Sequence, residues 1–143
     1  MDRGGQMIGK MHISVVGDAV RLFRAAMSME QREERVFVLP MDGSGCVLAS
    51  PILVSIGTEN GTAPVDAGMV LREALKAGAE EIIVAHNHPS GNMTPSKEDV
   101  HLTRELKIIA ERLGVELLDH IIIGANISSP AKGYVSLAEL DCF

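Results

Sequence analysis

An apolar run, Ile82 to Ala85, passes without a break into His86-Asn87-His88-Pro89-Ser90-Gly91, and an amphipathic pattern follows soon after. This stretch constrains the fold more than any other part of the chain. A short, continuous run of Ile, Val and Ala suits a strand buried on both faces. Residues two apart at a strand end point to one side, so His86 and His88 converge on a single point. Two converging imidazole nitrogens are ligands of the kind Zn2+ favours. Pro89, Ser90 and Gly91 then turn the chain sharply, so that the next helix begins beside the strand end.

That helix has two candidate starts. Thr94 at the N-cap with Pro95 at the first helical position uses proline where it is best tolerated, and is the expected register. Ser96-Lys97-Glu98-Asp99 also fits a loose capping box. In the Thr94 register Ser96 and Asp99 lie inside the helix, three apart and on one face. Leu102, Leu106, Ile109 and Leu113 form the expected buried stripe, and one step back along it falls on Asp99. A carboxylate facing a core is costly unless a cation or a donor meets it. A metal held by His86, His88 and Asp99 meets that need and explains more of the pattern than a backbone or lysine partner. Three protein ligands leave a fourth tetrahedral position for water, the form of a catalytic zinc site. A general base must also lie close by, and Glu98 points elsewhere on the helix.

The rest of the chain supplies a frame. Asp18 is expected to cap a helix carrying Val20, Phe23, Ala26 and Met27. Val36 to Met41 and Cys46 to Ile56 read as a hairpin about Asp42-Gly43-Ser44-Gly45, with Pro40 and Pro51 marking an edge or a bulge. Residues 57–64 read as a loop; Asp66 caps a helix that ends at Gly78. A second helix stops at Gly114, and Val115 to Ile123 and Tyr134 to Leu137 read as strands joined by a loop at 124–133. The class is α/β: one domain, a mixed sheet with packed helices, at 16–143 after a flexible or edge-pairing leader at 1–15. With three Phe, one Tyr and no Trp among 46% hydrophobic residues, the core must be aliphatic.

Composition narrows the function. No apolar run is long enough to span a bilayer, and no export signal opens the sequence, so a cytoplasmic protein is expected. Cys46 and Cys142 lack metal-ligand spacing and read as thiols of a reducing compartment. A net charge of −6 with thirteen scattered basic residues argues against nucleic acid as the main ligand.

The order His86-x-His88, seven residues, Ser96, two residues, Asp99 resembles the JAMM (MPN+/JAB) metalloprotease motif. The wider wording, HNHPSG, TPSKED and LLDHIIIG at 117–124, resembles the RadC-like branch of that family, over residues 16 to 138. The resemblance implies a JAB/MPN (cytidine-deaminase-like) α-β-α sandwich, zinc as the metal, and hydrolysis of peptide or isopeptide bonds in an unnamed protein or peptide substrate. It also implies a glutamate base ahead of an early strand. Glu34 fits that place, although strand parity alone leaves Glu33 open. Ser96 is carried over as a stabiliser of the oxyanion. Asp119-His120 repeats a DH pair of the family, with His120 either a hydrogen-bonded core residue or a partner orienting a metal ligand. RadC-like chains commonly carry a helical region before this domain, which this sequence is expected to lack. The alternative from another class is a non-catalytic metal-binding adaptor or DNA-repair-associated module. A zinc deaminase is disfavoured, because its H-x-E and P-C-x-x-C pattern is absent.

Overall fold

The computed structural model describes residues 11–27, 33–57, 65–124 and 133–143. Helix α1 (Val16–Ala26) leads to strands β1 (Arg35–Met41) and β2 (Ile52–Ile56), then to α2 (Ala67–Lys76) and β3 (Glu81–Asn87). Helix α3 (Lys97–Arg112), β4 (Glu116–Ile123) and β5 (Tyr134–Ser136) complete the order. The five strands form one mixed sheet, β2-β1-β3-β4-β5. β3 and β4 run parallel, as a strand–helix–strand crossover requires; the other three pairings are antiparallel.

Alternation along the strands divides the core in two. Val36, Val38, Ile82 and Val84 pack with Val70, Leu71 and Ala74 of α2 and Leu102, Leu106 and Ala110 of α3. Phe37, Leu39, Met41, Ile83 and Ala85 pack with Ala19, Val20 and Phe23 of α1. Helices thus cover both faces, an α-β-α sandwich, and the unbroken apolar run of β3 is explained. Among the described residues no helix is long and apolar enough to cross a membrane.

Two strand irregularities matter. On the β2 side, the register shifts between Val36 and Phe37, and Pro40 lies beyond the reach of β2, giving its carbonyl to Leu48 N–H at 2.9 Å. In β4, Leu117 pairs with Ile82 but Asp119 pairs with Ile83, so Leu118 is an extra residue. This bulge turns His120 toward Val84 and α3, and Asp119 to the other face.

Local chemistry fixes the helix ends. Asp66 caps α2 by accepting from Met69 N–H at 2.9 Å. Asp18 acts differently from the expected N-cap: it lies inside the first turn of α1, where its carboxylate accepts from Ser14 and Val15 N–H at 2.9 and 3.2 Å. The start of α3 also departs from the Thr94 register. Ser96 is the N-cap, and Asp99 stands at the third helical position. Asn92 Oδ1 captures Thr94 N–H at 3.0 Å, which holds Thr94 in a turn. Ser96 and Asp99 satisfy two helix-start donors reciprocally, where Thr94 with Pro95 would satisfy one. The expected stripe is corrected at its far end: Ile109 and Leu113 are exposed, and the buried face runs Asp99, Leu102, Thr103, Leu106, Ala110. The loops expected at 57–64 and 124–133 fall mostly outside the described residues, as does the leader before Met11. Met11 and Ile13 themselves pair with Val47 and Gly45.

Candidate metal centre

The site gathers where β3 ends, α3 begins and β1 starts. His86, in the last turn of the β3 ladder, is opposite Val36 of β1, and Glu34 stands one strand period earlier on the same side. Gly91, with φ of 84°, closes the turn after His88 by donating to the His88 carbonyl at 3.0 Å. A left-handed backbone of that kind favours glycine. The reversal brings Asp99 back over the strand end. His86 Nε2 and His88 Nε2 are 2.8 Å apart. Asp99 sets one carboxylate oxygen against each ring, at 3.0 Å from His86 Nε2 and 3.1 Å from His88 Nε2. Glu34 Oε1 stands farther off, 4.0 and 3.9 Å from the same two nitrogens. The ligand atoms of Glu34, His86 and His88 all lie within 4.8 Å of one another, a group that could hold a metal ion.

The hydrogen bonds behind the rings determine where their protons sit. Thr103 Oγ1 donates its single proton to the Asp99 carbonyl at 2.8 Å. The 2.7 Å contact between Thr103 Oγ1 and His120 Nδ1 therefore takes its proton from His120. His120 Nε2 is then an acceptor, and His86 Nδ1–H donates to it at 2.9 Å. On the other ring, His88 Nδ1–H donates to the Asn92 carbonyl at 2.7 Å. Both Nε2 atoms are left with bare lone pairs facing each other and a carboxylate. Acceptors so placed demand a cation between them, and neutral imidazole with carboxylate is a donor set that suits zinc.

The electrostatics show the same demand for positive charge at this point. Burial alone pushes the Asp99 carboxyl up, but hydrogen bonds from His86 and His88, formed when a proton takes the place of a cation, outweigh it and hold the group well below the usual carboxylate range. The Asp99 contact raises His88 against the opposing effect of its burial. His120 is pushed down to about 3, first by complete burial and then by the neighbouring His86, so it stays neutral as the proton count above requires.

The expected site residues fall as follows. His86, His88, Asp99 and Glu34 come together. Glu33 does not join them; it pairs with Arg35 at 3.2 Å on the surface. Ser96 sits at the helix start, accepting from Asp99 N–H at 3.1 Å while its own N–H donates to Asp99 Oδ2 at 2.8 Å. Sequence reasoning missed Thr103 and Asn87. Thr103 was detectable as a polar residue four after Asp99 on the same face. Asn87 carried no such signal, because its partners lie on a distant strand.

The family model of the RadC-like JAB domain matches residues 13–142. A UPF0758 protein of Carboxydothermus hydrogenoformans is 47% identical over 96 residues, covering 67% of this chain and 42% of the relative. A UPF0758 protein of Trichormus variabilis is 42% identical over 104 residues, covering 70% of this chain and 42% of the relative. One from Clostridium perfringens is 34% identical over 134 residues, covering 94% of this chain and 55% of the relative. The chain thus spans about half the length of the curated relatives it matches, or less.

Proposed function

This chain belongs to the RadC-like JAB domain family, and on that footing we propose that the domain is a zinc-dependent hydrolase of peptide or isopeptide bonds. In this reading His86, His88 and Asp99 hold the metal, Glu34 is the general base, and Ser96 helps to stabilise the oxyanion. The observation that carries it is the convergence of two unprotonated Nε2 atoms and a carboxylate, with a second carboxylate just beyond. Tetrahedral zinc with bonds of about 2.0 Å spaces its ligand atoms about 3.3 Å apart. The contacts of 2.8, 3.0 and 3.1 Å among His86, His88 and Asp99 suit ligands. The 3.9 and 4.0 Å distances to Glu34 suit a group that acts across a water molecule.

When bound, zinc supplies Lewis acidity and lowers the pKa of water toward about 7. Glu34 takes a proton at Oε1 and returns it to the leaving amine. The Ser96 hydroxyl accepts from Asp99 N–H, which leaves its own proton to donate toward developing negative charge. Cys46 and Cys142 are both free thiols, in keeping with a cytoplasmic setting.

The test combines metal analysis with a diverse library of peptides and isopeptides, on wild type and Glu34→Ala. We expect stoichiometric zinc in both proteins, and cleavage that the substitution lowers by about 10²–10⁴-fold. Equal cleavage by both removes Glu34 as the base. Full zinc with no turnover in the wild type favours the adaptor reading.

A further inference from the structure

We propose that Asn87 is a positioning residue for Glu34, gripping the chain on both sides of it; the inference deepens the reading of Glu34 as the base and rests on it. Asn87 is the last residue of β3 and lies between the two imidazoles in sequence. The strand period sends its side chain to the opposite side from theirs, and it is buried, at 2% exposure. There the amide works in both senses. Its Oδ1 accepts from Arg35 N–H at 2.8 Å, and its Nδ2 donates to the Glu33 carbonyl at 3.0 Å. These are the peptide groups flanking Glu34.

The grip falls where ordinary strand pairing stops. The register of β1 on β3 ends at Val36 opposite His86, and Glu33 and Glu34 precede Arg35, the first residue of β1. The Asn87 amide reaches past that end and carries the join onward with a side chain. From the other side Gly57 N–H donates to the Glu34 carbonyl at 2.7 Å. Glu34 is thus the central residue of a segment tied to both neighbouring strands, with its carboxylate facing His86 and His88. A planar group of this length, accepting at one atom and donating at the other, is what the two contacts require. Aspartate keeps the acceptor and loses the donor; alanine loses both. One tripeptide, His86-Asn87-His88, therefore sets two metal ligands on one side and locates the base from the other.

The test uses the full chain, isotopically labelled and loaded with Co2+, and follows paramagnetic shifts by NMR. In the wild type the rings of His86 and His88 and the methylenes of Glu34 are all strongly shifted. In Asn87→Ala and Asn87→Asp the ring signals stay, whereas the Glu34 signals lose most of their shift as the carboxylate drifts from the metal. With a cleaved library peptide, kcat falls about 10- to 100-fold at unchanged KM, and Asn87→Ala adds no loss on top of Glu34→Gln. A merely structural role predicts additive losses and leaves Glu34 in place. Unchanged Glu34 shifts in a folded variant, additive losses, or failure of both variants to fold would each overturn the proposal alone. A wild type that binds no Co2+ overturns the metal reading of His86, His88 and Asp99, and this proposal with it.

Discussion

Asp119 and His120 are neighbours on β4 and both are buried, yet the polar clusters they anchor are built to opposite ends. Around Asp119 the donors close the circuit: Ser136 Oγ at 2.6 Å, His120 N–H at 2.7 Å and Ala138 N–H at 3.1 Å. These bonds tie β4 to β5 and to the turn after it. Around His120 the protons run outward through His86 and finish on lone pairs that face only other acceptors. A buried polar group normally finds its partner within the fold. The cluster that does so is a fastening; the one that stops short leaves a place for a cation.

The largest expected effect breaks the open cluster. Asp99→Asn keeps the side chain's size but removes the charge, and turns an acceptor into a donor between two Nε2 atoms. Zinc affinity should fall by more than about 100-fold, beyond the usual cost of losing an outer partner, and cleavage should vanish. Competition against a chromophoric chelator measures this, and undiminished affinity would remove Asp99 from the ligand set. The closed cluster should answer in stability instead. Asp119→Ala removes the acceptor of the Ser136 hydroxyl proton and of the Ala138 N–H, at a cost of about 1–3 kcal/mol in urea unfolding, with zinc stoichiometry unchanged. Loss of zinc at equal stability would erase the contrast.

The third effect lies in pH. His120 is held down to about 3 when folded and titrates near 6.5 when unfolded. Its contribution is therefore fully present above pH 6.5 and declines as pH falls toward 3, by up to about 1.4 kcal/mol per unit. His88, raised by Asp99, has the opposite sign: its contribution is present below about pH 6.5 and is lost as pH rises through its folded value. Comparing chelator-treated wild type with His120→Gln isolates the first group. The variant should lose less stability between pH 6.5 and 3, and parallel urea midpoints would show that His120 does not carry the slope.

Much of this was legible because it depends on local periods. The two-residue repeat of a strand brings His86 and His88 together, and the helical repeat carries the apolar stripe back to Asp99. That inference survives two local errors. The cap belongs to Ser96 because a reciprocal pair outdoes proline's preference, and the stripe runs in steps of four through Leu102, Leu106 and Ala110, which passes by Ile109 and Leu113. Glu34 was separable from Glu33 only in three dimensions, where one carboxylate meets the imidazoles and the other meets Arg35. Asn87's grip on Glu33 and Arg35 joins segments far apart in the chain, and no periodicity announces such a pairing.

The extra residue at Leu118 has a consequence of its own. Side chains along a strand are a two-phase signal, and one inserted residue inverts the phase of everything beyond it. Upstream of Leu118, β4 is in step with β3; downstream, each side chain occupies the setting its neighbour would otherwise hold. Pair Leu118 with Ile83 instead of bulging it out, and Asp119 would stand opposite Val84, behind His86, while His120 moved to the face of Ser136. The fastening and the open site would trade places without a change in any of their residues. Which of two adjacent side chains stands behind His86 is thus decided by the bulge, a single residue accommodated between Leu117 and Asp119.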